Sequence, residues 1–399
     1  MPSYTLTDTS KDTWVDMFEV SAAKLGHPAA HPWSVTKTTL RGGRRDGVDL
    51  IRLDNGALSV AIVPTRGMGL WRGNYHGDAI GWKSPVVDGP VNPQFVNPSD
   101  RGGLGWLDGF DELLARCGLV SNGSPYSVPV LNADGSTART DLVGLHGRIA
   151  NIPAHYVAVH VDDAAPHAIT IEGRVAESTL FHPQLELSTR ISTVPGSNHL
   201  VVRDEVTNLS DSPGEFQILY HWNFGQPYLG LGSKVVAPID TLVPRDPRAA
   251  EGIDAWDTYA GPTPGFAEQV YLARLRGDGP DGRTLVLLHD AGGKKGVALR
   301  YSTAQLPCFS LWKATGGLKD GYVTGLEPGT NYPHPKPLEK ARGRVIPLAP
   351  GGSHVAETVL EILDTPDAVA AIAAEIRKLQ GPKPPTIHRG MIEPFVPMG

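Results

Sequence analysis

Apolar and polar residues alternate along most of this chain. AITIEGRVAES, LELSTRISTV, HLVVRDEVTNLSD and GEFQILYHWNF follow one another at short spacing, divided by Pro-Gly-Ser or Asp-Ser-Pro turns. That period of two is the mark of half-buried strands. RTLVLLHD, GVALRYST, CFSLWKA, GYVTGLE and SHVAETVLEIL continue the pattern later. VDLIRLDNGALSVAIVPTRG reads as a hairpin, with Asp54, Asn55 and Gly56 as its turn. Long antiparallel strands with frequent turns predict a mainly β protein, a sandwich or barrel.

Helical signals are few. Residues 9–18 predict a short helix capped by Thr9 or Ser10. LDGFDELLARCG, residues 107–118, predicts a second, stopped by Gly118. PDAVAAIAAEIRKLQG predicts a C-terminal helix: Pro366 starts it, apolar residues recur at helical spacing, Arg377 and Lys378 fall in its last turn, and Gly381 follows. No repeat, phosphate loop or dinucleotide fingerprint is present. The organisation expected is an N-terminal extension (1–45), one β domain (46–364), and a C-terminal helix with a Pro-rich tail packed on it (365–399).

Composition narrows the function. The 399 residues carry a net charge of -6, with 46 Gly and 35 Pro dispersed as turn formers. RGGRR, residues 41–45, is the densest basic patch and reads as a solvated loop, so nucleic acid is not an expected partner. No apolar run is long enough for a membrane span, and no leader is visible at the N-terminus. Cys117 and Cys308 sit in apolar settings and read as buried thiols. A cytoplasmic protein is expected, and a homodimer is an open alternative.

Candidate chemistry collects at strand ends. In residues 324–335, TGLEPGTNYPHP, Glu327 follows an apolar run and is framed by Gly325, Pro328 and Gly329. Its bland reading is a salt bridge to Lys313. In LYHWNFGQP, His221 ends a strong strand beside Trp222, Asn223 and Gly225; aromatic neighbours suit the C–H face of a sugar. An acid and a base delivered from two strand ends suggest proton transfer on a small polar substrate. LHGRIAN offers His146 and Arg148, which strand alternation would place on one face, as substrate ligands or as a turn histidine and a salt-bridged arginine. Trp312, Lys313 and Asn223 are further substrate-binding candidates. Arg66, in the PTRGM turn near Trp71, could clamp a substrate oxygen or be structural. His334, between two prolines, reads as a solvent-facing loop residue. His146, His221, Glu327 and His334 together would suit a divalent ion, but no pair has the spacing that makes a metal site specific.

The segment HLVVRDEVTNLSDSPGEFQILYHWNFG, with GLEPGTNYP, LAPGGSHVAETVLEI and LHGRIAN, resembles galactose mutarotases (aldose 1-epimerases). PTRGM, LHGRIAN, HWNFG and LEPGTN together resemble the DUF4432 branch, over residues 50–363. The resemblance implies a β-supersandwich and sugar chemistry with no cofactor. It would make His221 the general acid and Glu327 the general base, with His146 hydrogen-bonding the sugar. Arg66 and Arg148 would be candidates for the substrate arginine and Asp240 for a binding aspartate. The N-terminal region, the PTRGM turn and the 106–118 insertion depart from galactose mutarotases. The expected function is aldose 1-epimerase, acting on a small-molecule sugar. The alternatives are an isomerase or lyase of a keto-sugar or sugar acid, with or without a metal, and a sugar-binding protein without turnover.

Overall fold

The computed structural model describes residues 2–27, 30–87 and 89–397. The alternating segments form two large sheets. The first has ten antiparallel strands, and its middle runs Ser353–Leu363, His199–Asn208, Gln184–Thr193, Ile169–Ser178 and Tyr156–Val161. Gln184–Thr193 keeps its alternation in burial: Leu185, Leu187 and Ile191 point into the core while Glu186 and Arg190 do not. One face packs inward and the other meets water.

The second sheet has 14 strands. Its centre is the series Gln269–Leu275, Cys308–Thr315, Tyr322–Gly329, Gly214–Phe224 and Leu114–Leu119. Asp49–Asp54 and Leu58–Val63 form the expected hairpin beyond Gly69–Tyr75. Residues from both sheets, among them Ile51, Leu70, Trp222, Ile171 and Val202, join in one core cluster. N-terminal residues contribute to both sheets: Ser3–Asp8 pairs with Tyr156–Val161, and Ser34–Thr39 with Asp49–Asp54.

Tyr322–Gly329 and Leu114–Leu119 are buried at every position, so burial there no longer alternates. The outer face of the sheet is covered at its centre by Trp106, Phe110 and Leu145, which pack with Ala115, Cys117 and Leu219. A β-sheet whose second face is covered has two interiors, and here the second one holds the candidate chemistry.

Two expected helices are not helices. Residues 9–18 form a single 3-10 turn, Thr9–Lys11, and a short strand, Thr13–Trp14, that pairs with Ser3–Asp8. Residues 107–118 split into the end of a 3-10 segment, Gly105–Gly109, and the strand Leu114–Leu119. LLARC is a short apolar run that fits either period. Its pairing with Gly214–Phe224 decides the matter, sending Arg116 to the core and Ala115 and Cys117 to the outer face.

The C-terminal helix spans Pro366–Gln380 as expected. Thr365 caps it by accepting from Ala368 N, and Val369, Ile372 and Ile376 pack on Leu285, Leu287 and Ala298. The tail then lies along the edge of the large sheet: Thr386–Ile387 pairs with Ile239–Pro244, and Phe395 and Val396 pack with Val243, Leu272 and Tyr332. Among the described residues no helix is long and apolar enough to cross a membrane.

Candidate active site

The strands Gly214–Phe224 and Tyr322–Gly329 are antiparallel neighbours, with Trp222 opposite Leu326 and Asn223 opposite Gly325. Strand alternation therefore sends His221 and Glu327 to the same outer face, side by side. Both are nearly inaccessible, at 4% and 3% exposure. His221 Nε2 lies 3.2 Å from Glu327 Oε1. The contact is not aligned as a hydrogen bond, and Glu327 Oε1 is a buried acceptor with no donor among the described residues. A buried carboxyl oxygen without a partner is costly and marks a place where a proton or a ligand hydroxyl belongs.

The histidine's tautomer is set from behind. Asn223 Nδ2 donates to the carbonyls of Glu112 and His221, which turns Asn223 Oδ1 toward His221. His221 Nδ1 donates to that oxygen at 2.6 Å. In neutral His221, Nε2 is thus the free acceptor facing Glu327. Gly325 leaves room for the pair: a Cβ there would come within 2.4 Å of Glu327 Oε1 and 3.2 Å of His221 Cε1.

Aromatic rings enclose the pair. Phe110 and Trp312 lie edge-on to His221 at 5.0 and 5.2 Å, and Trp106 stands 6.2 Å away. His146 packs on Trp106 at 4.6 Å and on His221 at 5.4 Å. Its backbone is left-handed (φ 59), and its Nδ1 donates to the Asn122 carbonyl at 2.9 Å. Neutral His146 therefore also presents Nε2 as an acceptor. LHGRIAN is a turn and 3-10 segment rather than a strand, so His146 and Arg148 do not share a strand face; Arg148 is exposed.

Burial sets the ionisation. Desolvation pushes Glu327 well above the usual carboxylate range, with the nearby Glu268 adding to the rise. Desolvation, then the neighbouring His146, pulls His221 well below an ordinary histidine. His146 is held at about 4 by desolvation. Since His146 is protonated in the unfolded chain below a pH of about 6.5 but stays neutral in the fold, its neutral form contributes stability that is lost as pH falls toward 4. We expect the destabilisation caused by His146→Asn to be larger at pH 7 than at pH 5. Urea unfolding of both proteins at the two pH values checks this; an equal cost at both would overturn it.

Several sequence candidates lie elsewhere. Lys313 follows Trp312 and so points to the opposite face. Its Nζ donates to the carbonyls of Ala255, Trp256 and Thr258, and desolvation lowers it to about 8. It is held by these carbonyls rather than paired with Glu327. Arg66 is buried; its Nε binds Glu112 Oε1 and its Nη1 donates to Val91 O and Asn151 Oδ1. It braces the segment whose Glu112 carbonyl holds Asn223. Asp240 stands beside Arg274 and Arg276 at the far edge of the sheet, away from His221 and Glu327. His334 is buried rather than solvent-facing, with Nε2 donating to the Phe395 carbonyl. Among the described residues no group of three or more His, Cys, Asp or Glu is placed to hold a metal ion.

The structure adds residues that the sequence reading passed over. Phe110 was hidden in the presumed helix. Asn122 is 24 positions before the histidine it holds. Glu268 is exposed at the rim, where it accepts from Trp312 Nε1 at 2.7 Å and from Arg245 at 2.8 Å. Nothing in the sequence around Glu268 signals that position.

Two facing sheets with a histidine and a glutamate on the covered outer face define a galactose mutarotase-like β-supersandwich, the fold of carbohydrate epimerases. The chain matches the family described as Domain of unknown function (DUF4432) over residues 45–362 and belongs to it. It is similar to a candidate aldose 1-epimerase from Klebsiella pneumoniae subsp. pneumoniae MGH 78578, at 36% identity over 97% of this chain and 98% of that one, with a TM-score of 0.90. A galactose mutarotase-like protein from Clostridium acetobutylicum shares the fold at 15% identity, covering 88% of this chain and 99% of that one, with a TM-score of 0.55. A galactose mutarotase-related enzyme from Lactobacillus acidophilus does so at 14% identity, covering 79% and 98%, with a TM-score of 0.51. No curated protein matches.

Proposed function

We propose that the protein is an aldose 1-epimerase, interconverting the anomers of a sugar by proton transfer between His221 and Glu327. The observation that carries this reading is the buried contact of His221 Nε2 with Glu327 Oε1 at 3.2 Å, with the histidine's other nitrogen pinned. Glu327 takes the proton from the C1 hydroxyl and His221 gives one to the ring oxygen. The C1–O5 bond breaks and the C1 carbonyl forms. Rotation about C1–C2 and reclosure give the other anomer, with each proton returned in the reverse direction.

One proton shared by the pair suffices. Burial favours the neutral arrangement, in which that proton rests on Glu327. The working arrangement, with the proton on His221 Nε2, differs from it by one transfer across the same contact. Ring closure reverses the transfers of ring opening, so the pair ends as it began. General acid–base assistance supplies roughly 10²–10⁴-fold per group, adequate for a reaction that already proceeds in water. On this reading His146 Nε2 accepts from a sugar hydroxyl, and Trp312, whose Nε1 donates to Glu268, offers its ring to the sugar.

Saturation-exchange NMR between anomers across a panel of neutral, acidic and keto sugars tests the proposal. Exchange faster than in buffer for at least one sugar is expected; none for any sugar would sink it. We also expect Trp312→Ala to raise KM by about 2–10-fold and leave kcat within about threefold, since an aromatic contact contributes about 0.5–1.5 kcal/mol. Steady-state kinetics on the sugar so identified would show it, and a kcat loss with KM unchanged would contradict a stacking role.

A further inference from the structure

A groove of about 1170 Å³ opens beside, not at, the His221–Glu327 pair. None of His146, His221 and Glu327 lines it. Trp82 forms part of its wall and packs on Phe110 at 5.1 Å, and Phe110 in turn touches His221. Tyr322, at the start of the Glu327 strand, also lines it, roughly 17 Å along the chain from Glu327 at strand spacing.

Five cations from four separate parts of the chain converge here: Arg41 and Arg45 from RGGRR, Arg72, Lys83 and Lys319. Only Arg72 has a carboxylate within ion-pair reach among the described residues, Asp111 Oδ2 at 4.0 Å. Asp111 is the sole acid among the lining residues (Asp88, between two of them, lies outside the described residues). Asp111 is buried against Gly89 and accepts from Trp71 Nε1 at 2.6 Å. Desolvation raises its carboxyl to about 7, so near neutrality it offsets the five cations only in part. Gathering like charges around a concavity is unfavourable by itself, and in a chain of net charge -6 it runs against the overall balance. A cleft lined by one sign of charge focuses its field and concentrates counter-ions. Arginine forks suit oxyanions, and a groove of this size has room for a small molecule.

We propose that this groove is a second ligand site, for a small molecule bearing two or more negative oxygens on phosphate, sulfate or carboxylate groups. Its cations are assembled only by the fold. It is separated from the His221–Glu327 pair by the Trp82–Phe110 layer, so its occupancy does not depend on the reaction assigned there.

Titration calorimetry of the full chain at low ionic strength tests it, with pyrophosphate and citrate as probes. Saturable binding of at least one is expected, and which of the two binds distinguishes a phosphate site from a carboxylate site. Arg41→Glu with Lys83→Glu should weaken that binding by about tenfold or more, because local charge sets the attraction. Arg377→Glu with Lys294→Glu, the same charge change at exposed positions outside the groove, should alter it by no more than about twofold. Absence of saturable binding of both probes would overturn the proposal. So would unchanged binding by the groove variant, or equal weakening by the control.

Discussion

Glu327→Gln should lower kcat for anomer exchange by about 10²–10⁴-fold while the protein stays folded. The amide is nearly isosteric with the carboxyl, and Gly325 leaves the same space for it. What it lacks is a carboxylate able to take the proton of the C1 hydroxyl and give it back. Because burial holds Glu327 toward its neutral form, replacing it with a neutral amide removes no buried charge. The unfolding midpoint should therefore stay close to that of the parent protein. His221→Asn should be equally damaging, and the double variant little worse than either, since a pair sharing one proton works as a unit. Anomer exchange near the parent rate in Glu327→Gln would remove Glu327 from the mechanism. Losses in the two single variants that multiply in the double variant would refute the shared proton.

Asp204→Ala should be the most destabilising of the substitutions considered, at about 3–5 kcal/mol, because it leaves a buried charge without its partner. Arg116 and Asp204 are each 1% exposed and bridge the two sheets. Arg116 Nε and Nη2 meet the two carboxylate oxygens at 2.5 and 3.0 Å, a bidentate pair. Its remaining donors reach Gly67 O, Met68 O and Thr189 Oγ1, which are neutral. Replacing both partners together, Arg116→Met with Asp204→Leu, should cost much less. Urea unfolding would show the midpoint falling steeply for the single variant and modestly for the double. A single-variant cost below about 1 kcal/mol would mean that water or a neighbour compensates Arg116.

How far the residues themselves pointed to the site can be followed position by position. His221 and Glu327 stood out because each reads as the end of an apolar run at a turn, and the segments around them resemble mutarotase motifs. Both in fact lie within strands, Gly214–Phe224 and Tyr322–Gly329, whose pairing rather than their ends brings the two together. Alternation also bears on Trp312 and Lys313: adjacent strand residues face opposite ways, so both could not line one pocket. Arg66 and Asp240 were less tractable. A lone arginine or aspartate in a turn or strand carries no mark of whether its partner is a substrate or another side chain. Arg66 meets Glu112 and Asn151, 46 and 85 residues away, and only the folded chain brings them together.

The sequence by itself determined most of the strands, the hairpin at Asn55 and the C-terminal helix, and it singled out His221 and Glu327 as candidates. Each of these rests on local periodicity, turn chemistry or short motifs. Tertiary structure alone decided that LLARC is a strand, that Phe110 and Trp106 close over His221, that Lys313 faces away, and that five scattered cations share one groove. Strand period tells which residues share a face, but not what covers that face. The covering segments come from distant parts of the chain, and burial, which sets both the protonation of the pair and the fate of each charge, exists only once they have met.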